Sequence, residues 1–224
     1  MQSKIPSKSY WKAQEPIAKL LTNKIKKDST ILEIGIGQGG VTKLLLRKQS
    51  HVNITGFDIN KNVLEITEKL FKKKCKGKYR LLKLSQDVNL VKKFGKEKFD
   101  FIISSGSLDY SKDPDKVIKQ MKDLLKKGGF AAFTLFDNMS SFDYDGKSPK
   151  QRYLSSVGIK TWGYRDFYIK KLLKKFGFET KSITHIKNAY RNSHTELSKS
   201  ELEAIKKNLD HPYEDHFVIL VRKK

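Results

Sequence analysis

The stretch ILEIGIGQGG, residues 31–40, decides how the rest of the chain is interpreted. An apolar run ends there in a group of glycines, and a carboxylate, Glu33, precedes the first glycine by two positions. A short strand, closely spaced glycines and then a helix form the arrangement with which α/β proteins bind nucleotide-like ligands. The glycine spacing is compatible with two such ligands.

The first candidate ligand is a dinucleotide. Its G-x-G-x-x-G pattern is met by Gly35, Gly37 and Gly40, and Asp58 follows at a suitable distance for a ribose. The match is weak by itself, because Glu33 stands where dinucleotide folds usually continue the apolar strand. The second candidate is a ligand with a cationic amino-acid end and no pyrophosphate. An acid-x-G-x-G-x-G pattern made by Glu33, Gly35, Gly37 and Gly39 suits that ligand, because glycines let the backbone approach it closely.

Composition limits the class of protein. The chain has 224 residues and is 38% hydrophobic, which is enough for one α/β domain with a buried core. Cys75 is the only cysteine, so internal disulfides and cysteine-rich metal sites are excluded. The apolar runs are too short to span a bilayer, and the N-terminus lacks a secretory signal, so we expect a cytoplasmic protein with no transmembrane segment.

The formal net charge of +23 raises the question of a nucleic-acid partner. Of the 47 basic residues, 41 are Lys and only 6 are Arg, whereas base and phosphate recognition favours the planar fork of Arg. The lysines are spread over nearly every predicted helix and loop. A solvated lysine surface is therefore favoured over a nucleic-acid footprint, which stays open as an alternative.

Hydrophobic periodicity predicts a regular alternation of strands and helices. Strands are predicted at 29–34, 52–59, 79–87, 98–106 and 130–136, and helices at 15–27, 40–49, 61–74, before Gly95, and at 113–129. A later helix is predicted at 165–177, with strands at 179–186 and 216–223 and a helix at about 199–209. The alternation predicts a doubly wound, mostly parallel sheet with helices on both faces, whose ligand lies at the carboxyl ends of the strands.

We expect one domain over residues 1–224, with three less regular parts. These are an N-terminal helical segment (1–28), a polar and aromatic lid or substrate-binding insertion (137–164), and an insertion before the last strand (188–212). The aromatic residues from Phe142 to Tyr168 would either wall an organic ligand or simply pack a lid on the sheet.

Five motifs in register resemble the class I S-adenosylmethionine-dependent methyltransferases, most closely the small-molecule enzymes typified by ubiquinone and menaquinone biosynthesis. The resemblance covers roughly residues 10–190. It rests on LEIGIGQGG, GFDINKNVLEI, SQDV, FDFIISSGSLDYSKDPDKVIKQMKDLLKKGG and YRDFYIKKLLKKFGF, in that order. It implies a Rossmann-like, seven-stranded sheet with an antiparallel last strand, S-adenosylmethionine as cofactor and S-adenosylhomocysteine as product.

The resemblance also implies cofactor-binding roles. Asp58 would hold the ribose hydroxyls and Asp87 the adenine amine, although each acid could instead cap the helix that follows it. The remaining predicted cofactor residues are the glycines and acid of the first motif (Glu33, Gly35, Gly37, Gly39), the adenine-packing Ile59 and Val88, and Ser104 and Ser105 at the methyl-transfer site. Tyr10 and Trp11 would either close over the cofactor or act as an aromatic anchor.

Methyl transfer from a sulfonium depends mostly on proximity and orientation, and needs a base only if the acceptor must lose a proton. The candidate bases are Asp109, Tyr110, Asp137 and His194, each of which is also explicable as a surface or structural residue. His185, within a predicted strand, is better explained as a packed or solvent-facing residue. The FDN sequence at 136–138 resembles the metal-binding pair of catechol-type O-methyltransferases, but Ser104–Ser105 stands where those enzymes need an acid, so no metal is predicted.

The leading prediction is thus a methyltransferase acting on a small-molecule acceptor. An RNA methyltransferase that uses the basic surface is the alternative, and a non-catalytic module that binds the cofactor or a partner is the third.

Overall fold

A computed structural model describes residues 13–137, 149–154, 159–186 and 215–224. Its helices are α1 (Gln14–Thr22), α2 (Gly40–Leu46), α3 (Lys61–Lys74), α4 (Leu90–Phe94), α5 (Pro114–Leu124) and α6 (Asp166–Lys175), with a 3-10 helix at Leu108–Tyr110. Its strands are β1 (Thr30–Ile34), β2 (Asn53–Asp58), β3 (Tyr79–Lys83), β4 (Phe99–Ser104), β5 (Leu125–Asp137), β6 (Lys150–Leu154), β7 (Ile159–Tyr164), β8 (Phe178–Ile186) and β9 (His216–Lys223).

The strands form one sheet in which the first five are parallel, in the order β3-β2-β1-β4-β5. Strand β9 lies antiparallel to β5, and β8 lies antiparallel to β9 on its other side. The prediction of a doubly wound, mostly parallel sheet with an antiparallel last strand is therefore confirmed. Because parallel strands end at the same edge, the loops after β1 to β5 and after β8 meet at one carboxyl edge.

Two apolar clusters bury the two faces of the sheet. Helices α4, α5 and α6 pack on one face through residues such as Leu90, Met121 and Leu172. Helices α1, α2 and α3 pack on the other, and Ile17 and Phe71 belong to that cluster. None of the helices within the described ranges is long and apolar enough to cross a membrane.

Local chemistry explains where the helices start. The side chain of Asn60 accepts a hydrogen bond from Asn62 N (2.9 Å) and caps α3, and that of Asn89 accepts one from Lys92 N (2.8 Å) and caps α4. The alternative that Asp58 and Asp87 are the capping residues is therefore wrong. Their carboxylates are used elsewhere, in the loops at the carboxyl edge.

Several predicted boundaries need correction. The helix predicted at 113–129 ends at Leu124, because Leu125 is already extended and pairs with Phe99 as the first residue of a long β5. The strand predicted at 79–87 ends at Lys83, and the helix predicted at 15–27 ends at Thr22.

The structure also contains two strands that were not predicted, within the irregular segment 137–164. Strands β6 and β7 form an antiparallel hairpin, and β7 pairs in parallel with the last residues of β5 through Phe136–Gly163 and Asp137–Tyr164. The sheet therefore exceeds the predicted seven strands. The helix predicted at about 199–209 lies outside the described residues.

Candidate functional site

A cleft of about 370 Å³ opens at the carboxyl edge, above the ends of β1, β2, β3 and β4. Its size is that of an ordinary small-molecule site. The cleft is lined by Gly35, Gly37, Phe57, Asp58, Ile59, Leu84, Ser85, Gln86, Asp87, Ser105, Gly106, Ser107 and Tyr110. Six of the predicted cofactor residues, from four separate stretches of sequence, thus line one concavity.

The three alternating glycines share a backbone conformation but differ in their surroundings. All adopt positive φ values, of 63° at Gly35, 52° at Gly37 and 71° at Gly39, which side chains rarely tolerate. A Cβ on Gly35 would lie 2.3 Å from Ser107 Cβ, so the loop after β4 packs directly on this position. A Cβ on Gly37 would have nothing within 4 Å and would project into open space. Gly39 precedes α2 and packs against α3.

Asp58 organises the glycine loop from the end of β2. Its Oδ2 accepts a hydrogen bond from Gly37 N (3.0 Å), and its Oδ1 accepts one from Asn60 N (2.9 Å). Each carboxylate oxygen has a second lone pair, so both can also accept from a ligand hydroxyl. This geometry suits the ribose-binding role that the resemblance implies.

The loop after β3 is tied to the loop after β4. Asp87 Oδ1 accepts hydrogen bonds from Ser111 Oγ (2.6 Å) and Lys112 N (2.9 Å), and Gln86 Nε2 donates to Ser107 O (2.7 Å). Asp87 therefore joins the two loops as well as lining the cleft. Gln86 Oε1 and Ser105 Oγ are buried without a hydrogen-bond partner in the described part of the chain.

Two exposed apolar side chains lie in the cleft. Ile59 is 68% exposed and Tyr110 is 37% exposed, and both belong to its lining. The ring of Tyr110 packs edge-on against Phe136, 6.1 Å between centroids, which fixes its position. Large apolar surface left open inside a polar concavity is typical of a site for a flat organic group.

Glu33 lies beneath the glycine loop and does not line the cleft. Its side chain is only 2% exposed, and Thr42 Oγ1 donates a hydrogen bond to its Oε2. Burial raises the pKa of the Glu33 carboxyl to about 8, and the bond from Thr42 offsets this only in part. Burial therefore favours the neutral form of this carboxyl. Its cofactor-binding role stays a prediction.

Ser104 and Val88 also lie outside the lining. Ser104 is buried and its hydroxyl contacts Ser107 Oγ (2.7 Å) and donates to Ile34 O (3.3 Å), so it joins β1 to the loop after β4. Val88 packs against the core beside α4. Tyr10 and Trp11 lie outside the described residues.

The four candidate bases occupy different surroundings. Asp109 is fully buried, and its Oδ1 accepts a hydrogen bond from Phe136 N (2.8 Å), which joins the 3-10 helix to β5. Tyr110 lines the cleft. Asp137 ends β5 one strand beyond the cleft, and burial raises its pKa against the opposing effect of His185. His194 lies outside the described residues.

Sequence reasoning missed a carboxylate–histidine cluster, formed by Asp137, His185 and Asp215. His185 Nε2 lies 2.9 Å from Asp137 Oδ2 and 3.4 Å from Asp215 Oδ2, at the ends of β5 and β8 and the start of β9. The alternation of residues along β8 did not distinguish His185 from its neighbours as a functional residue. The signal that was present is topological, because three polar residues flank strand ends that meet at the carboxyl edge.

The aromatic segment is partly described, and its described residues lock β7 and α6 to α5. Asp115 accepts hydrogen bonds from Tyr164 Oη and Tyr168 Oη, each at 2.8 Å, and Trp162 Nε1 donates to Ser111 O (3.0 Å). These contacts favour the packing explanation for those three rings. Phe142, Tyr144 and the side chain of Tyr153 lie outside the description.

The charge of the cleft discriminates between the two candidate ligands. Among the described residues, its lining includes the carboxylates Asp58 and Asp87 and no Lys, Arg or His, although the chain carries a net charge of +23. A pyrophosphate would be repelled there, whereas a ligand with a sulfonium and an ammonium would be attracted. The open space beside Gly37 and the unpartnered oxygens of Gln86 and Ser105 also suit a ligand rich in donors.

Comparison with known proteins agrees with this geometry. Residues 8–183 match the family model described as a methyltransferase domain. A malonyl-[acyl-carrier protein] O-methyltransferase of Paenibacillus sp. (strain JDR-2) is 28% identical over 160 residues, which are 67% of this chain and 55% of that protein. The chain spans about half the length of the curated relatives it matches.

Two solved structures illustrate the fold. The Burkholderia thailandensis 1,6-didemethyltoxoflavin-N1-methyltransferase, solved with S-adenosylhomocysteine, superposes with a TM-score of 0.66 at 14% identity, covering 96% of this chain and 79% of that one. The [4+2]-cyclase SpnF superposes with a TM-score of 0.69 at 15% identity, covering 97% and 84%. The predictions of fold, enzyme class and cofactor are confirmed: the chain belongs to the family described as a methyltransferase domain, with S-adenosylmethionine as its cofactor.

Proposed function

We propose that the protein transfers the methyl group of S-adenosylmethionine to a small organic acceptor above the ends of β4 and β5. The observation that carries the proposal is the acidic cleft with its glycine loop, in a chain whose remaining charge is strongly basic. The bound cofactor supplies a methyl group already activated by its sulfonium. The protein's contribution is to hold donor and acceptor in line and to exclude water.

Each part of the cleft has a proposed role. Asp58, held by Gly37 N and Asn60 N, accepts hydrogen bonds from the ribose. Ile59 and Tyr110 provide apolar walls, and Asp87 keeps the loops after β3 and β4 together at the adenine end. Ser105 lies at the end of β4, where its buried hydroxyl can bond to the amino-acid end of the cofactor or to the acceptor.

The acceptor class is proposed from the relatives. Three of the curated relatives are named malonyl-[acyl-carrier protein] O-methyltransferases, so an acyl carboxylate is the first acceptor to test. A carboxylate acceptor has no proton to lose at neutral pH, so it would require no general base. That would explain why Asp109 is used to bind the backbone of β5 and does not face the cleft.

The first test is calorimetric titration with S-adenosylmethionine, S-adenosylhomocysteine and NADH. We expect the two sulfur ligands to bind at micromolar concentration, NADH not to bind, and Asp58→Ala to weaken binding by about 30-fold or more. Glu65→Ala removes an exposed carboxylate on α3 and is the matched control. Binding of NADH in preference to the sulfur ligands would overturn the site assignment.

The second test identifies the acceptor. The protein is incubated with methyl-labelled S-adenosylmethionine and a cell extract, and the label is partitioned among small molecules, acid-precipitable protein and RNA. We expect label in small molecules or in an acyl group released from a carrier. Label in RNA, with binding that weakens steeply as salt rises, would favour the RNA methyltransferase instead. Binding without transfer would indicate that the fold serves another purpose here.

A further inference from the structure

We propose that Glu33 is a proton-linked part of the cofactor site, neutral in the free protein and converted to a carboxylate when a cation occupies the glycine loop. The inference rests on the cofactor site proposed above and concerns how that site is charged. It also proposes a role for the acid that precedes the glycines in ILEIGIGQGG. A carboxyl that ionises only when the cation is present would bind that cation differently from a carboxyl that is always charged.

The surroundings of Glu33 are apolar. It lies in β1, paired with Gly56 of β2 on one side and Ile103 of β4 on the other. Glu33 and Ile31 lie on the same face of β1. That face is covered by the cluster that includes Val41 and Ile103. An ionised carboxyl in such a place needs a cation or several hydrogen-bond donors, and a neutral one does not.

The described residues provide no such cation. Thr42 supplies a hydrogen bond, and no salt bridge reaches Glu33 from this part of the chain. The neighbours in β2 and β4 are Gly56 and Ile103, which carry no charge. The charged side chains of the helices on this face are all solvent-exposed: Glu15 and Lys19 of α1, Lys43 of α2, and Lys61, Glu65, Glu68, Lys69, Lys72, Lys73 and Lys74 of α3.

Burial accordingly raises the pKa of the Glu33 carboxyl to about 8, which favours the neutral acid at pH 7. The proton is therefore available for release when the electrostatic environment changes.

The cofactor can bring that change. Gly35 lines the cleft two residues after Glu33, so a ligand at the glycine loop lies about 7 Å along the strand from the Glu33 backbone. A positive charge at that range favours ionisation of a neighbouring buried carboxyl. The O–H bond of Glu33 then breaks, the proton passes to the solvent, and the carboxylate remains beneath the glycine loop, hydrogen-bonded to Thr42.

The experiment counts protons. S-adenosylhomocysteine is titrated calorimetrically into the full-length protein at pH 7 in buffers of different ionisation enthalpy, and the slope gives the protons released per ligand bound. The variant Glu33→Gln keeps the size of the side chain and an oxygen for Thr42 but has no proton to lose. We expect wild type to release about 0.5 to 0.9 protons more than Glu33→Gln.

A ligand control identifies the group responsible. 5′-Methylthioadenosine retains the adenosine and a sulfur but lacks the amino-acid end, so its binding should release no proton from Glu33. The affinity of wild type for S-adenosylhomocysteine should increase several-fold relative to that of Glu33→Gln between pH 6 and pH 8.

Equal proton release by wild type and Glu33→Gln would overturn the inference and leave the cofactor site intact. Proton release on binding of 5′-methylthioadenosine would overturn the assignment to the amino-acid end. Failure of every sulfur ligand to bind would overturn the proposed site and the inference together. If Glu33→Gln fails to fold, Thr42→Val provides the second variant. It removes the bond that opposes the rise in the pKa of Glu33, so the pH range over which ligand binding releases the proton should move upward.

Discussion

The cofactor cleft and the carboxylate–histidine cluster lie on the same edge of the sheet but are built differently. In the cleft, glycines set the path of the chain, and side chains at strand ends bind backbone groups of the neighbouring loops, as Asp58 binds Gly37 N and Asn60 N. In the cluster, Asp137, His185 and Asp215 contact one another from three strand ends. The first kind of site leaves a local pattern in the sequence. The second exists only once the strands are assembled.

The largest effect that we expect on the free energy of unfolding comes from Glu33, the buried acid beneath the glycine loop of the cofactor cleft. The unfolded chain ionises Glu33 near its ordinary value of 4.5, whereas the folded chain raises this pKa to about 8. The folded state therefore binds more protons between these values and loses stability as pH rises through them. We expect Glu33→Gln to raise the free energy of unfolding by up to roughly 4 kcal/mol at pH 8 and by no more than about 1 kcal/mol at pH 5.

Urea unfolding of both proteins at the two pH values measures this difference. The exposed substitution Glu65→Gln on α3 gives the background for removing one carboxylate. A stability difference that does not grow with pH would mean that Glu33 is ionised in the folded protein, and would make it a constitutive anion of the site.

The glycine loop gives the next largest effect, because two neighbouring glycines differ in what surrounds them. Gly35→Ala places a Cβ 2.3 Å from Ser107 Cβ at a φ of 63°, and we expect a loss of about 3 kcal/mol in the free energy of unfolding. Gly37→Ala meets no atom within 4 Å, so only the strain of its positive φ remains, about 1 kcal/mol. Its methyl group would project into the cleft and weaken S-adenosylhomocysteine binding by about tenfold or more.

The two glycine variants are each other's control, measured by urea unfolding and by calorimetry. If both lost stability equally while binding was unchanged, Gly37 would serve the fold alone, and the cleft would not be the cofactor site.

Much of the cofactor cleft was predictable from the sequence, for a physical reason. A buried strand, positive-φ glycines and an acid at a strand end are local requirements, and each leaves a residue type at a fixed spacing. Glu33 was predicted as an anion because its residue type is visible, whereas its burial depends on β2, β4 and helices far away in sequence. Its charge state at pH 7 was therefore beyond sequence reasoning.

The part of the molecule around β5 to β9 and the 3-10 helix was predicted less well. Strands β6 and β7 were missed because KQRYL and IKTWGY are mixed in polarity and do not alternate cleanly. Asp109 was a candidate base by its position after β4, and the structure shows its carboxyl hydrogen-bonded to the backbone of β5. His185 was interpreted as a packed or solvent-facing residue because nothing near it in sequence indicates Asp137 or Asp215.

The smallest expected effect is that of replacing His185, and it tests whether the cofactor cleft and the carboxylate–histidine cluster are independent. His185→Gln removes the imidazole that faces Asp137 and Asp215, and we expect a loss of about 1–2 kcal/mol in the free energy of unfolding. Burial raises the pKa of Asp137 while His185 opposes that rise, so without His185 the carboxyl is still harder to ionise.

The affinity for S-adenosylhomocysteine decides what the cluster does. We expect it to change less than twofold in His185→Gln, because the residues that line the cleft come from β1 to β4 and their loops. His51→Gln, an exposed histidine before β2, controls for loss of an imidazole. Weaker cofactor binding in His185→Gln alone would mean that β5 transmits the state of the cluster to the cleft through Phe136 and Tyr110. The two regions would then be one site, with cofactor binding coupled to groups that no local sequence pattern reveals.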